Sequence, residues 1–91
     1  MTAPTLHLHL KAEYFDAIKR GEKTEEFRLF STWNGKLKTS YDKIILYRGY
    51  PKAGDHDKRM ERPWRGWTLK TITHKHFGPE PVLVYAIRVN P

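Results

Sequence analysis

Cysteine is absent from this 91-residue chain. That excludes disulfides and thiolate metal sites, and nothing argues for an oxidising compartment. No stretch approaches the roughly 18–20 consecutive apolar residues that a membrane-crossing helix needs. The N-terminus shows no basic segment followed by a long apolar run. The expectation is a soluble, cytoplasmic protein with no membrane partner. Internal repeats, low-complexity stretches, a glycine-rich phosphate loop and a Ser-His-Asp arrangement are all missing as well. What remains fits one small domain over residues 1–91, with enough chain for a single core.

Charge is plentiful and uneven. The formal net charge is +7. Between residues 29 and 75 there are eleven Lys or Arg against four acids, so the whole excess lies in that stretch while the flanking segments balance. All three Trp and Tyr41, Tyr47 and Tyr50 fall there too. Clustered cations attract polyanions, and interleaved aromatics offer faces on which unpaired bases stack. The composition reads either as a nucleic-acid-binding surface or as the basic solvated face of an ordinary domain.

Hydrophobic periodicity predicts the elements. Thr5 to Lys11 alternates, with Leu6, Leu8 and Leu10 on one face and His7 and His9 on the other, as a half-buried strand does. Ala12 to Arg20 carries Tyr14, Phe15, Ala17 and Ile18 on a helical stripe, with Gly21 placed to end it in a left-handed conformation. Strands are expected over Thr24–Phe30, Asp42–Tyr50, Trp64–Phe77 and Val82–Val89, the last apolar at almost every position, as a strand buried on both faces would be. Trp33-Asn34-Gly35-Lys36 and Gly78-Pro79-Glu80-Pro81 read as turns, and Pro51–Pro63 as a long exposed loop. The expected class is α+β, with one helix after the first strand packed on a small, strongly curved or closed sheet.

The most informative segment is Gly21-Glu22-Lys23-Thr24-Glu25-Glu26-Phe27-Arg28, which reads G-x-K-x-x-E-x-R where helix gives way to strand. Alternation puts Glu26 and Arg28 on one face and Phe27 and Leu29 on the other, with Lys23 able to reach back over the same ground. A carboxylate between two cations can position a base amino group, orient a cation or act as a general base. The plainer alternative is a surface ion pair decorating the strand, worth about 0–1 kcal/mol.

With the Tyr14-to-Arg20 helix before it and a hydrophobic strand after it, this motif resembles the ASCH domains, the ASC-1 homology group of the PUA-like superfamily. The likeness covers roughly the first fifty residues. It implies a PUA-like β-barrel of five to six strands with a flanking helix, and a cleft beside the motif that binds RNA or a nucleotide. Some members of the wider family are ribonucleases, and a bacterial branch hydrolyses an acylated cytidine. That branch has a Thr where this chain has Glu26, with its Lys matching Lys23. Glu26 cannot serve as a hydroxyl nucleophile, and Thr24 is two positions away, so the amidohydrolase activity is the least expected.

The expected function is an RNA-binding module for single-stranded RNA or a nucleotide, with Lys23, Glu26 and Arg28 at the selective point. Arg48, Tyr50, Arg62, Trp64, Arg65 and Trp67 supply further candidate nucleic-acid contacts. One of Trp64 and Trp67 is expected in the core and the other on the binding surface, while Tyr47 is either core or a stacking ring. The alternative is an RNA-processing enzyme in which Lys23, Glu26 and Tyr47 are catalytic and a divalent metal is needed only if it is a nuclease; a third is a basic face for an acidic protein partner. No cofactor is implied otherwise. His7 with His9 and His74 with His76 have the spacing of metal ligands on strands, but polar faces of amphipathic strands explain them, and no metal site is assigned. Protonation of such exposed histidines below about pH 6.5 would strengthen RNA affinity.

Overall fold

The computed structural model describes residues 4–37 and 40–91; Lys38, one of the basic residues counted above, lies outside them. Strand β1 (Leu6–Leu10) leads into helix α1 (Ala12–Lys19) and strand β2 (Glu25–Leu29). A short helix α2 (Phe30–Trp33) follows directly, then β3 (Lys43–Arg48), β4 (Arg59–Pro63), β5 (Trp67–His74) and β6 (Gly78–Arg88). The strands form two three-stranded sheets, ordered β1-β3-β4 and β2-β6-β5. The class is therefore α+β with six strands and α1 where the stripe placed it. No ladder joins the two sheets into a closed barrel among the described residues.

The alternation in β1 works as expected: Leu6, Leu8 and Leu10 are buried while His7 and His9 face outward. β1 pairs in parallel with β3, Leu6 against Ile44 and Leu8 against Leu46. These inward residues meet Phe15 and Ile18 of α1, with Tyr85 and Ile87 of β6 and Val89 just beyond it, in one core cluster. β6 runs between β2 and β5, which explains its unbroken burial from Val84 to Ile87. A strand flanked on both edges and covered on both faces has no polar side to show.

Three expectations are corrected. The end of the Pro51–Pro63 loop is strand β4, antiparallel to β3, with Met60 opposite Leu46 and Arg62 opposite Ile44. Its sequence, Arg-Met-Glu-Arg-Pro, is nearly all polar because an edge strand needs only alternate residues inward, and charge and proline are tolerated there. Leu29 is followed by helix α2, so β2 ends before Phe30. The turn expected at Gly78–Pro81 sits earlier, as a 3₁₀ turn at Lys75–Phe77. Gly78 already opposes His74, and β2 ends opposite Val84. Pro79 and Pro81 therefore lie where β6 has no β2 neighbour requiring their missing N–H groups.

Much of the positive charge is used to hold the fold. Arg62 Nε donates to the carbonyl of Val89 at 2.9 Å, tying β4 to the end of β6 and so one sheet to the other. Arg48 Nε reaches Asp16 at 3.1 Å, pinning α1 to β3. Lys70 pairs with Glu25 at 2.7 Å across the second sheet, and Arg65 donates to the carbonyl of Pro91. Such partners lie far apart in sequence, which is why a charge tally does not reveal them.

The core cluster gives a direct test. Leu46 is fully buried, so Leu46→Ala should lower unfolding free energy in urea by about 2–5 kcal/mol. Leu83, exposed in β6 just before its buried run, should change it by no more than about 0.5 kcal/mol when made Ala. Equal losses from the two variants would contradict the assigned core.

Candidate functional site

The motif is positioned by the end of α1. Gly21 has φ of +81°, its N–H donates to the carbonyl of Ile18, and the N–H of Glu22 donates to that of Ala17. These two bonds are the Schellman closure of a helix, which favours glycine because a Cβ is strained at positive φ. The N–H of Lys23 also returns to Ala17, so the side chain of Lys23 starts beside the helix it has just left.

β2 then lies with its charged face inward. Glu26 opposes Ile87 and Arg28 opposes Tyr85, and cross-strand partners share a face, so both project to the side carrying core residues of β6. Glu26 is only 6% exposed, the one buried charged residue among those described. Its carboxylate lies 3.0 Å from Arg28 Nη2 and 3.8 Å from Lys23 Nζ. Arg28 Nη2 also donates to the carbonyl of His9 at 3.0 Å, which links β2 to β1. The placement of Glu26 and Arg28 on one face with Lys23 over it agrees with the alternation, and the burial excludes a solvent-exposed decoration.

These three residues line a cleft of about 340 Å³. Tyr14, Phe27, Trp33, Phe77, His74 and His76 give it aromatic walls, and Lys11, Thr32 and His9 contribute polar groups. Lys23 Nζ sits 4.5 Å from the centre of the Phe27 ring and 5.3 Å from that of Tyr14, and Arg28 lies 5.5 Å from the Trp33 ring. Cations held against rings lose little mobility when a ligand arrives. The cleft is small-ligand sized, mostly apolar, with a few convergent polar groups, as binding sites generally are.

Burial shapes its electrostatics. Desolvation raises Glu26 above the ordinary carboxylate pKa, with Arg28, Lys23 and a hydrogen bond from the Phe27 backbone opposing it. Desolvation lowers Lys23 from the ordinary lysine value, which Glu26 and Glu25 oppose and the charge of Arg28 reinforces. Tyr14 is raised, first by burial and then by the charges of Glu13 and Glu26. His76 is lowered by burial, by Lys11, His74 and Arg28, with Glu13 opposing. Its protonation therefore occurs below the ordinary histidine range, and any gain in affinity from it requires more acid than an exposed histidine would. The His76 N–H donates to His74 Nδ1, so a neutral His74 carries its proton on Nε2.

The other sequence candidates lie elsewhere. Arg48, Arg62 and Arg65 serve the structural contacts described above and do not line the cleft. Trp64 packs with Tyr41, Trp67 packs edge-on against Tyr85, and both lie against the core cluster, so the expected division of labour between them is not observed. Tyr47 and Tyr50 stand outside the cleft, on the outer side of the first sheet with His9. The tryptophan that does line the cleft is Trp33, which the sequence reading placed in a turn. Trp33, Thr32, Tyr14, His74, His76 and Phe77 were missed as wall residues. The Tyr14 helix stripe and the His74/His76 spacing were visible signals, but only the fold brings them to one place. Thr24, exposed beyond the start of β2, is not in the cleft.

The raised pKa of Glu26 carries a sign that can be checked. Between the ordinary carboxylate value and its own, native Glu26 binds a proton that the unfolded chain has released. Stability contributed by this group is thus present at low pH, falls as pH rises through that window, and then levels off. Urea unfolding against pH should show this descent in the wild type and a flatter profile in Glu26→Gln, and carbon NMR should place the Glu26 titration above that of the exposed glutamates. Coincident pH profiles with an ordinary midpoint would remove the claim of a desolvated carboxylate. No protein-family model, curated protein or solved structure matches this chain.

Proposed function

We propose that this chain is an RNA-binding module of the ASCH, PUA-like type, which takes one unpaired nucleotide of single-stranded RNA into the cleft beside G-x-K-x-x-E-x-R. The observation that carries the reading is the buried Glu26 carboxylate, held between Lys23 and Arg28 in an aromatic-walled cleft. A base stacks on the rings and offers its amino hydrogens to the carboxylate, while a cation meets the phosphate. Glu26 is then the selective group, because a base presenting only acceptors would face it unpaired. The barrel closure characteristic of that superfamily belongs to the same proposal. An acidic protein partner would have no use for ring walls around a buried carboxylate, and the net charge of +7 favours a polyanion at long range.

Titration of intrinsic tryptophan fluorescence with short single-stranded RNA tests this. Binding at low salt should weaken steeply as salt rises. Trp33→Ala should weaken it by about 1–3 kcal/mol, the worth of one stacked base. Lys23→Ala and Arg28→Ala should also weaken it. No affinity at low salt, or affinity indifferent to all three variants, would sink the reading.

A second reading rests on one specific observation. Burial pushes the pKa values of Glu26 and Lys23, 3.8 Å apart, toward each other, the direction in which a carboxylate becomes a better proton acceptor and an ammonium a better donor. An RNA-cleaving enzyme would use Glu26 to take the proton of an attacking hydroxyl and Lys23 to return one to the leaving oxygen. Tyr47, outside the cleft, has no part in it. Labelled RNA incubated with the wild type, with and without divalent metal, should be cut only if this holds, and Glu26→Gln should abolish the cutting.

A further inference from the structure

His9 belongs to two places at once. It lines the cleft, and its backbone carbonyl accepts the hydrogen bond from Arg28. Its imidazole is stacked against Tyr47, with ring centres 4.7 Å apart and planes 17° apart, and against Tyr50 at 4.4 Å and 14°. Tyr47 and Tyr50 make no ring contact with each other, so they cover opposite faces of the imidazole. The order along the outer side of the first sheet is His7, Tyr47, His9, Tyr50, with the His7 ring stacked 5.8 Å from that of Tyr47. Arg59 stands 5.2 Å from the Tyr47 ring, and no ion pair to it is found among the described residues. At the other end Tyr50 is 86% exposed.

Hydrogen bonds fix the inner members of this row. His9 Nδ1 donates to the carbonyl of Gly49 at 2.9 Å, fixing the tautomer and the ring plane. Gly49 has φ of +67° and its own N–H donates to Leu10, which turns the chain so that Tyr50 arrives over His9. The Tyr47 hydroxyl is paired with His7 Nδ1 at 2.8 Å. Tyr50 is stacked on His9 by one face, and at 86% exposure its other face is left open. A pre-ordered ring loses little entropy when another flat ring is laid on it.

We propose that Tyr50 is a second nucleotide position, whose open face stacks the base adjoining the one in the cleft. The protein therefore binds successive unpaired nucleotides in preference to a lone mononucleotide. The inference rests on the cleft being a nucleotide site. It adds the direction in which the strand leaves: past His9 and onto the outer side of the first sheet. Charge complementarity supports a nucleic-acid strand as the occupant, since Arg59, beside the Tyr47 ring, can meet a phosphate and the tyrosine rings of the row alternate with the imidazoles of His7 and His9.

The experiment compares affinities for adenosine monophosphate and a short oligoadenylate at low salt, measured by NMR chemical-shift titration so that weak binding is still read. The wild type should favour the oligonucleotide. Tyr50→Ala should reduce that preference by about fivefold to a hundredfold, as expected from losing one base stack. Tyr50→Phe should retain it, and the Tyr50 ring signals should shift with the oligonucleotide far more than with the monophosphate. A preference unchanged in Tyr50→Ala, with Trp33→Ala weakening both ligands, would overturn the second position and leave the cleft standing. A preference lost in Tyr50→Phe would show that the hydroxyl and not the stack is recognised, which also overturns it. Failure of both ligands to bind would remove the cleft reading and this one together.

Discussion

The arrangement of the molecule around its cleft depends on a carboxylate taken out of water. Glu26 on β2 faces the same side as the core residues of β6, where an apolar side chain would ordinarily stand. Burying an ion is tolerable only with close partners of opposite sign. Lys23 provides one from the helix turn and Arg28 another from the same strand, and Arg28 is in turn braced by the carbonyl of His9 on β1. One group thereby holds together α1, β2 and the first sheet. A leucine in its place would pack without these constraints. That the chain keeps the ion, with its desolvation opposing its charge, fits a position retained for recognition of a ligand.

A consequence is that cations here divide into two populations. Lys23 and Arg28 surround a buried anion, line the cleft and touch aromatic rings. Arg48, Arg62 and Arg65 satisfy a carboxylate and two carbonyls at the joints between elements. The second group accounts for part of the excess between residues 29 and 75, which composition left open between a nucleic-acid-binding surface and the basic solvated face of an ordinary domain. Long-range attraction of a polyanion survives this division, because a guanidinium bonded to a carbonyl keeps its charge.

The fold was legible where periodicity and turn chemistry agree. Leu6, Leu8 and Leu10 alternate over a strand, the α1 stripe ends at a glycine that takes a left-handed conformation, and the apolar run in β6 belongs to a central strand. β4 was hidden because Arg59–Pro63 has the composition of a loop and becomes a strand only by pairing with β3. At the site, Glu26, Arg28 and Lys23 could be placed together because they are close in sequence. His74, His76 and Phe77 could not, since their proximity to the motif is produced by pairing of β2 and β5 with β6, and Trp33 could not because the helix α2 that carries it reads in sequence as the end of a strand and a turn. Trp64 and Trp67, an aromatic-plus-basic cluster in sequence, both stand half-buried against the core in space.

That pairing order bears on how the molecule is made. Among the described residues β2 has one neighbour in its sheet, and that neighbour is β6, the last of the described strands. While the polypeptide is being synthesised, the first sheet and α1 have all their strands available before β6 has emerged. β2 meanwhile has no ladder and its charged face remains hydrated. Contacts between such distant segments form late and slowly. The cleft thus comes into being only after β6 has emerged, when the desolvation of Glu26 accompanies closure of the second sheet, and a chain lacking β6 would hold the motif intact without the site.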